Sequence, residues 1–274
     1  MLPELSVTAY QSTSSVLYMT IVVMLGSSLL FVLLRGLVSR GYQLAVSLMA
    51  AVVFMAACYY LRIYFNWEAA YALKASVYAP SGVPLNYALR YLDWIVNVPL
   101  ILSAVALVLD LGAAKSRSLV TRLVAAAVIM IATGFVGETS ADAAGRTIWG
   151  LVAMLPFVYI IYVLYSELNG ALRFESSTVL GLFGRLRWLL LLSWSFYPVV
   201  YSFPIFNLSG PAVTIGVQIG NSIADLGAKA LFGLLIFAIA RQKSEEGLKA
   251  SRDESLQQQA AVKITQPVST FPQR

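Results

Sequence analysis

Two pairs of ionisable residues lie inside stretches that are apolar enough to cross a membrane. Asp225 and Lys229 are four residues apart, and Arg90 and Asp93 are three apart, so each pair lies on one helix face. Charged side chains at membrane depth cost about 2.5–3.5 kcal/mol each on insertion scales, which makes them candidates for function. A deeply buried lysine normally loses its proton or is modified. A protonated Schiff base with an aldehyde keeps a cation there and requires a carboxylate counter-ion.

These charges have a second possible role. They could be ion pairs that hold two helices together, without any chemistry at the lysine. The charges alone leave both interpretations open.

The composition bounds the class of protein. Of the 274 residues, 59% are hydrophobic and only 12% are charged, whereas a soluble domain has about 25% charged residues. This composition excludes a disordered chain, an ordinary nucleic-acid-binding protein and most soluble enzymes. The chain has no histidine, so histidine catalysis and histidine metal ligands are excluded, and we expect no metal site and no enzyme activity. The single cysteine, Cys58, excludes a disulfide framework.

Seven stretches reach the length of about 20 apolar residues that a membrane-spanning helix needs. We therefore predict an all-α membrane protein, with residues 1–242 as one seven-helix domain and 243–274 as a polar, disordered tail. A signal peptide is not expected, because the first apolar run is too long and only an acidic residue precedes it. The predicted spans run from Ser15 to Leu37, Gln43 to Phe65, Pro84 to Val108, Ser118 to Gly137, Thr147 to Leu168, Phe183 to Pro204 and Ala212 to Ala240.

The basic residues predict the orientation of the chain. Cytoplasmic loops carry an excess of Lys and Arg. The loops after spans one, three and five and the tail hold nearly all of these residues, whereas the opposite loops carry only Lys74 and Arg146. We therefore expect a cell-membrane protein with the N-terminus outside and the C-terminus in the cytoplasm.

Five segments resemble helices of the microbial rhodopsins, in the order of the chain. RYLDWIVNVPLIL resembles their third helix, IMIATGFVG the fourth, YIIYVLY the fifth and WSFYPVVY the sixth. DLGAK resembles the seventh-helix motif in which the lysine binds retinal. The segments are Arg90–Leu102, Ile129–Gly137, Tyr159–Tyr165, Trp194–Tyr201 and Asp225–Lys229.

The resemblance implies a photoreceptor that holds all-trans retinal on Lys229 as a Schiff base, in a pocket inside the bundle. It makes Asp93 the primary counter-ion and proton acceptor, Asp225 the second counter-ion and Arg90 the gating arginine. Relatives often form trimers or pentamers, so a homo-oligomer in the lipid bilayer is also expected. The implied retinal-binding residues are Trp94, Met130, Gly134, Phe157, Trp194, Tyr197, Pro198, Tyr201 and Tyr60, the last near the counter-ions. Taken one by one, such aromatic residues usually only pack a membrane bundle.

Three positions on the third helix type the members of this family, and here they hold Asp93, Asn97 and Ala104. An aspartate at the first position resembles outward proton pumps and disfavours chloride pumps. Asn97 departs from the threonine that proton pumps usually have at the second position. Sodium pumps have Asn at the first position and Asp at the second, the reverse of the order here. A sodium route is therefore less favoured but open. The most direct expectation is a light-driven outward proton pump. A photosensor that signals through a separate transducer is the main alternative.

Ala104 stands where typical proton pumps have a carboxylic acid, about 16 Å along the helix from the acceptor. The sequence therefore predicts reprotonation from the cytoplasm through water, with a slow or strongly pH-dependent cycle; Asp110 lies too far out to act except through water. The acids Glu68, Glu138 and Asp142 are expected to be solvated loop charges. Arg62 is expected to pair with a helix end or to extend toward the membrane surface.

Overall fold

The computed structural model describes residues 2–171 and 175–265, with side-chain surroundings for 2–167 and 175–259. Within these residues, seven helical stretches are long and apolar enough to cross a membrane, which confirms the predicted seven-helix membrane fold. The helices are α1 (Val7–Leu34), α2 (Gln43–Ala70), α3 (Ala88–Val108), α4 (Ala113–Glu138), α5 (Ala143–Ala171), α6 (Ser177–Ser202), α7 (Pro211–Asp225) and α8 (Phe232–Thr265). A 3₁₀ turn, Arg35–Leu37, follows α1, and a π-helical segment, Leu226–Leu231, joins α7 to α8.

Most helices begin or end outside the predicted spans, and two of the differing ends have a local cause. Helix α3 begins at Ala88 rather than at Pro84, because the Asn86 side chain accepts a hydrogen bond from the Ala88 amide at 3.1 Å. Helix α6 ends at Ser202, just before Pro204, which has no amide hydrogen to continue the helix. Pro99 and Pro198 both lie inside helices, which a membrane bundle tolerates because neighbouring groups satisfy the carbonyls that proline leaves free.

A small antiparallel sheet covers one end of the bundle. Strands β1 (Leu5–Ser6), β2 (Tyr71–Lys74) and β3 (Val77–Pro80) pair in the order β1-β3-β2. The sequence predicted only a longer connection after the second span. Below the sheet, Tyr10 stacks on Trp67 and Tyr78 and anchors it to the first two helices. We call this end of the bundle the sheet end.

The opposite end, from which α8 extends, is the tail end. Here Lys243 donates to the Val108 carbonyl at 3.3 Å and to Glu175 at 2.8 Å. The Ser244 hydroxyl accepts from the Ser39 amide at 2.9 Å. The last helix is thereby fixed to α3 and to the connections before α2 and α6.

The expectation of a disordered tail is wrong for residues 243–265, which continue α8 as helix. Pairs of side chains four residues apart favour this conformation. Arg241 binds Glu245 at 2.9 Å, and Gln242 donates to Glu246 at 2.8 Å. The remaining part of the predicted tail, 266–274, lies outside the described residues.

Candidate functional site

Lys229 lies at the centre of the bundle between two carboxylates. Its Nζ atom is 2.5 Å from Asp93 Oδ2 and 2.9 Å from Asp225 Oδ1. No more than 3% of any of these three side chains is exposed. The π-helical segment holds Lys229, and α3 and α7 supply the carboxylates. The two charge pairs that the sequence placed on separate helices therefore form one cluster.

Asp225 is held by donors from two further helices. Tyr197 on α6 donates to Asp225 Oδ1 at 2.6 Å, and Tyr60 on α2 donates to Asp225 Oδ2 at 2.6 Å. Arg90 Nη1 is 3.9 Å from Asp225 Oδ2. Two cations and two carboxylates thus lie together, and their formal charges cancel.

Arg90 lies on the sheet-end side of this cluster. Its Nη2 donates to Gln218 Oε1 at 2.7 Å, and its Nη1 donates to the Tyr60 hydroxyl at 3.3 Å. Gln218 is not among the residues predicted from the sequence, because an uncharged amide gives no charge signal. Its position seven residues before Asp225, close to two helical turns, is the pattern that could have identified it.

Asn97 is fully buried one turn from Asp93, on the tail-end side. Its Nδ2 atom donates to Asp93 Oδ1 at 2.5 Å. The Asn97 Oδ1 atom has no hydrogen-bond partner in the described part of the chain. Asp93 is therefore held by two donors, Lys229 and Asn97.

A cavity of about 1030 Å³ extends from Lys229 and Asp225. Its middle is lined by apolar and aromatic side chains, and its ionisable groups lie at the Lys229 end and at the sheet end. All of the predicted pocket residues except Tyr60 line it. They are Trp94, Met130, Gly134, Phe157, Trp194, Tyr197, Pro198 and Tyr201.

The aromatic residues give this cavity its shape. The rings of Trp94 and Tyr197 are 4.8 Å apart and tilted by 56°. At Gly134 a Cβ atom would lie 3.4 Å from the Tyr91 ring, which is an ordinary van der Waals distance. The arrangement favours an elongated apolar ligand with one polar end near Lys229.

Tyr201 lies toward the sheet end of the cavity. Its hydroxyl donates to the Arg146 carbonyl at 2.7 Å. Its side chain fills the space beside Gly137 and Gly150. A Cβ atom at Gly137 would lie 2.0 Å from the Tyr201 hydroxyl oxygen, and one at Gly150 would lie 2.6 Å from a ring carbon. These two glycines are needed for the observed position of the ring.

The expectation that Glu138 is a solvated loop charge is wrong. Glu138 Oε2 accepts from Arg146 Nη2 at 2.6 Å, and the two side chains are only 16% and 13% exposed. The Arg146 guanidinium also lies over the Tyr201 ring, 4.8 Å from its centroid. Both charged residues line the cavity at the sheet end. The short α4–α5 connection brings them together, which residue types alone do not reveal.

The tail-end side of the cluster is apolar. Ala104 is fully buried, together with Leu102 and Val105. Asp110 lies beyond the end of α3 and accepts from the Tyr42 hydroxyl at 3.3 Å. Burial and the nearby Asp110 carboxylate raise the pKa of Tyr42, so this hydroxyl keeps its proton.

Arg62 does not join the cluster. It lies on the exposed side of α2 and makes no ion pair with any residue whose side chain the structure describes. Pairing of Arg62 with a helix-end group is therefore not seen among those residues, and its extension toward the membrane surface stays a prediction.

A seven-helix membrane bundle with a lysine between two carboxylates at the end of an apolar cavity defines the microbial rhodopsin class. Residues 11–243 match the family described as bacteriorhodopsin-like protein. The chain belongs to this family.

Individual relatives agree with this assignment. The chain is 28% identical to green-light absorbing proteorhodopsin from Gamma-proteobacterium EBAC31A08 over 156 residues, which are 57% of this chain. That alignment spans only 61% of the relative's length.

Two solved structures are similar over nearly the whole bundle. Thermophilic rhodopsin is 44% identical with a TM-score of 0.88, covering 90% of this chain and 99% of the other. Xanthorhodopsin, described as a light-driven ion pump with dual chromophore, is 38% identical with a TM-score of 0.86 and the same coverage.

The Glu138–Arg146 pair gives a stability prediction. We expect Glu138→Gln to lower the free energy of unfolding by about 1–2 kcal/mol, because it removes a charge from a largely buried hydrogen-bonded pair. Glu167→Gln, which alters the more exposed pair with Arg122, should cost about 0–1 kcal/mol. Thermal unfolding in detergent measures both. Equal effects of the two substitutions would contradict a structural role for the Glu138 pair.

Proposed function

We propose that this protein is a light-driven ion pump that moves protons outward, with all-trans retinal bound covalently to Lys229. The observation that carries the proposal is the position of Lys229 between Asp93 and Asp225 at the end of a largely apolar cavity. The similarity to xanthorhodopsin, a light-driven ion pump, supports the same function.

The residues present fit a polyene aldehyde. The cavity of about 1030 Å³ is large enough for such a ligand. Trp94 and Trp194 would hold the chain of the ligand, with Tyr197 and Pro198 beside it. Met130, Gly134 and Phe157 would contact the ring at the far end. When bound, retinal supplies light absorption and a change of shape that drives the proton from the Lys229 nitrogen.

Asp93 is the acceptor for this proton. Its Oδ2 atom is 2.5 Å from the Lys229 nitrogen, within direct transfer distance. Asp225 accepts from Tyr60 and Tyr197 as well as from Lys229, and Arg90 lies nearby. These donors and the positive charge favour an ionised Asp225, which leaves Asp93 to receive the proton.

Arg90 controls the exit toward the sheet end. It lies between Asp225 and Gln218, so a small movement of its guanidinium changes the charge near the carboxylates. Beyond it, the cavity reaches Glu138 and Arg146. These polar groups support proton release at the sheet end.

The orientation gives this release its direction. We propose that the tail end faces the cytoplasm, because the basic loop residues cluster there, and that the sheet end faces outward. The protein then resides in the cell membrane with its N-terminus outside. A homo-oligomer in the bilayer, trimeric or pentameric, stays an expectation from the family resemblance.

A photosensory role is the second candidate. The observation in its favour is Ala104, which is buried where a proton donor would speed the cycle. No acid occurs on α3 between Asn97 and its end at Val108. A slow cycle suits signalling through a separate transducer. Sodium transport is less favoured, because Asp93 directly contacts Lys229.

The proposed function first predicts light-induced acidification by cells that express the chain with added retinal. Outward pumping should acidify an unbuffered suspension. The acidification should persist in Na⁺-free and in Cl⁻-free salts, and a protonophore should abolish it in each. Lys229→Ala should remove both colour and signal. Lys243→Ala, which alters another largely buried lysine on the last helix, should keep the colour.

Other signals would point elsewhere. Alkalinisation that the protonophore abolishes would show inward proton transport. Alkalinisation that the protonophore enhances would show transport of another ion. A coloured, photocycling protein without any signal would favour the photosensor.

The second prediction concerns colour. Asp93→Asn should shift the absorption of the pigment to longer wavelength at neutral pH, because it removes the negative charge beside the Lys229 cation. Asp110→Asn, just beyond the tail end of α3 and distant from the cluster, should leave the spectrum unchanged. Absorption spectra of the purified pigments measure both. An unshifted Asp93→Asn spectrum would remove Asp93 from the counter-ion role.

The third prediction concerns the slow step of the cycle. Because Ala104 cannot donate a proton, decay of the state in which the Lys229 nitrogen lacks its proton should slow as bulk pH rises. Ala104→Glu should speed the decay and weaken its dependence on pH. Flash photolysis across a pH series measures both. A decay rate that is independent of pH in the unmodified protein would contradict direct supply from bulk water.

A further inference from the structure

The Asn97 amide has a fixed orientation while Asp93 is ionised. Its Nδ2 atom donates to Asp93 Oδ1 at 2.5 Å. The reverse orientation would place the amide oxygen against a carboxylate oxygen, and both are acceptors. The Asn97 Oδ1 atom therefore points away from Asp93. It is buried and has no hydrogen-bond partner in the part of the chain whose side chains the structure describes.

The hydrogen-bond partners of Asp93, as they are oriented, suit only its ionised form. An ionised carboxylate only accepts, and the groups that contact Asp93, Lys229 and Asn97, both donate to it. When Asp93 takes a proton, it gains an O–H donor. A buried donor of this kind requires an acceptor.

The neighbouring acceptors are almost all in use. Asp225 Oδ1 accepts from Tyr197 and Lys229, and Asp225 Oδ2 accepts from Tyr60. Arg90 has no acceptor atom. Asn97 Oδ1 belongs to a side chain that already contacts Asp93, and it accepts from no described residue. The Lys229 nitrogen is a second acceptor once it has lost its proton, but it has no free lone pair while it stays protonated, as in the pigment acidified in the dark.

We propose that Asn97 is a positioning residue whose amide makes a half-turn when Asp93 becomes protonated. The proton leaves the Lys229 nitrogen and bonds to Asp93 Oδ2. The neutral carboxyl group then turns about its Cβ–Cγ bond, and its O–H donates to Asn97 Oδ1. No other covalent bond forms or breaks; the hydrogen bond from Asn97 Nδ2 to Asp93 is exchanged for the one from the Asp93 O–H to Asn97 Oδ1, and the amide NH₂ takes the position that Oδ1 leaves. The inference rests on the proposed function for the role of Asp93 as proton acceptor.

This movement has a consequence for the direction of transport. With its O–H directed at Asn97, Asp93 no longer presents the proton to the Lys229 nitrogen. Return of the proton is therefore delayed, which matters when Ala104 makes resupply slow. A threonine hydroxyl at this position both donates and accepts. It would bond to either form of Asp93 without a half-turn, so the rotation is specific to asparagine.

The test needs no light. The pigment is labelled with ¹³C-asparagine and acidified in the dark until its colour shifts to the red, which marks protonation of Asp93. Infrared difference spectra between the two colours should contain an asparagine C=O band that changes position. This band should vanish in Asn97→Thr. It should persist in Asn221→Ala, which removes another buried amide, bonded only within its own helix.

A second readout follows the carboxyl group itself. In Asn97→Leu, protonated Asp93 has lost its acceptor, so its C=O stretch should move to higher wavenumber than in the unmodified pigment. In Asn97→Thr it should stay close to the unmodified position. If the leucine variant does not fold, the labelled pigment and Asn97→Thr still decide the outcome.

Two results would overturn the inference, and they are distinguishable. A red shift without any change in the asparagine bands would show that the Asp93 proton is directed elsewhere, toward Asp225, while the proposed pump stands. Acidification without a colour shift would remove Asp93 from the counter-ion role. The proposed function would then fail together with the inference.

Discussion

The structure depends on one buried cation, the ammonium of Lys229, and on the carboxylates that compensate it. An isolated charge at this depth is very costly, and it is tolerated only with a partner and further hydrogen bonds. Asp93 and Asp225 supply the opposite charge, and Arg90 balances the second carboxylate. Tyr60 and Tyr197 complete the hydrogen bonds. The cluster therefore joins α2, α3, α6, α7 and the π-helical segment at one point.

The need to compensate the Lys229 charge explains why the polar groups are unevenly distributed along the cavity. The largely apolar cavity begins at the cluster, so a ligand that enters it meets one charged end and a long apolar wall. The helix widens into a π-helical segment where it carries Lys229. Even so, the side chains of Asp225 and Lys229, four residues apart, stay within 2.9 Å. The backbone irregularity thus coincides with the residue on which the proposed chemistry depends.

The sequence predicted the parts of this arrangement that depend on residue type and helical spacing. Seven apolar stretches predicted the bundle, and Asp225 and Lys229 were expected on one face because a helix repeats about every 3.6 residues. The contact between Asp93 and Lys229 joins residues 136 apart in the chain, and it was expected from the family resemblance rather than from spacing. Gln218 and the β-sheet were missed, because an amide and three short strands carry little signal in a chain that is 59% hydrophobic.

The two sides of the cluster differ in a way that bears on direction. Toward the sheet end, Arg90, Gln218 and the Glu138–Arg146 pair provide polar groups along the cavity. Toward the tail end, Asn97 is followed by buried apolar side chains around Ala104. A proton on Asp93 therefore finds charged and hydrogen-bonding groups on one side and an apolar barrier on the other. In the proposed pump, this barrier makes release toward the sheet end easier and resupply from the tail end slow, so the same asymmetry accounts for both direction and rate.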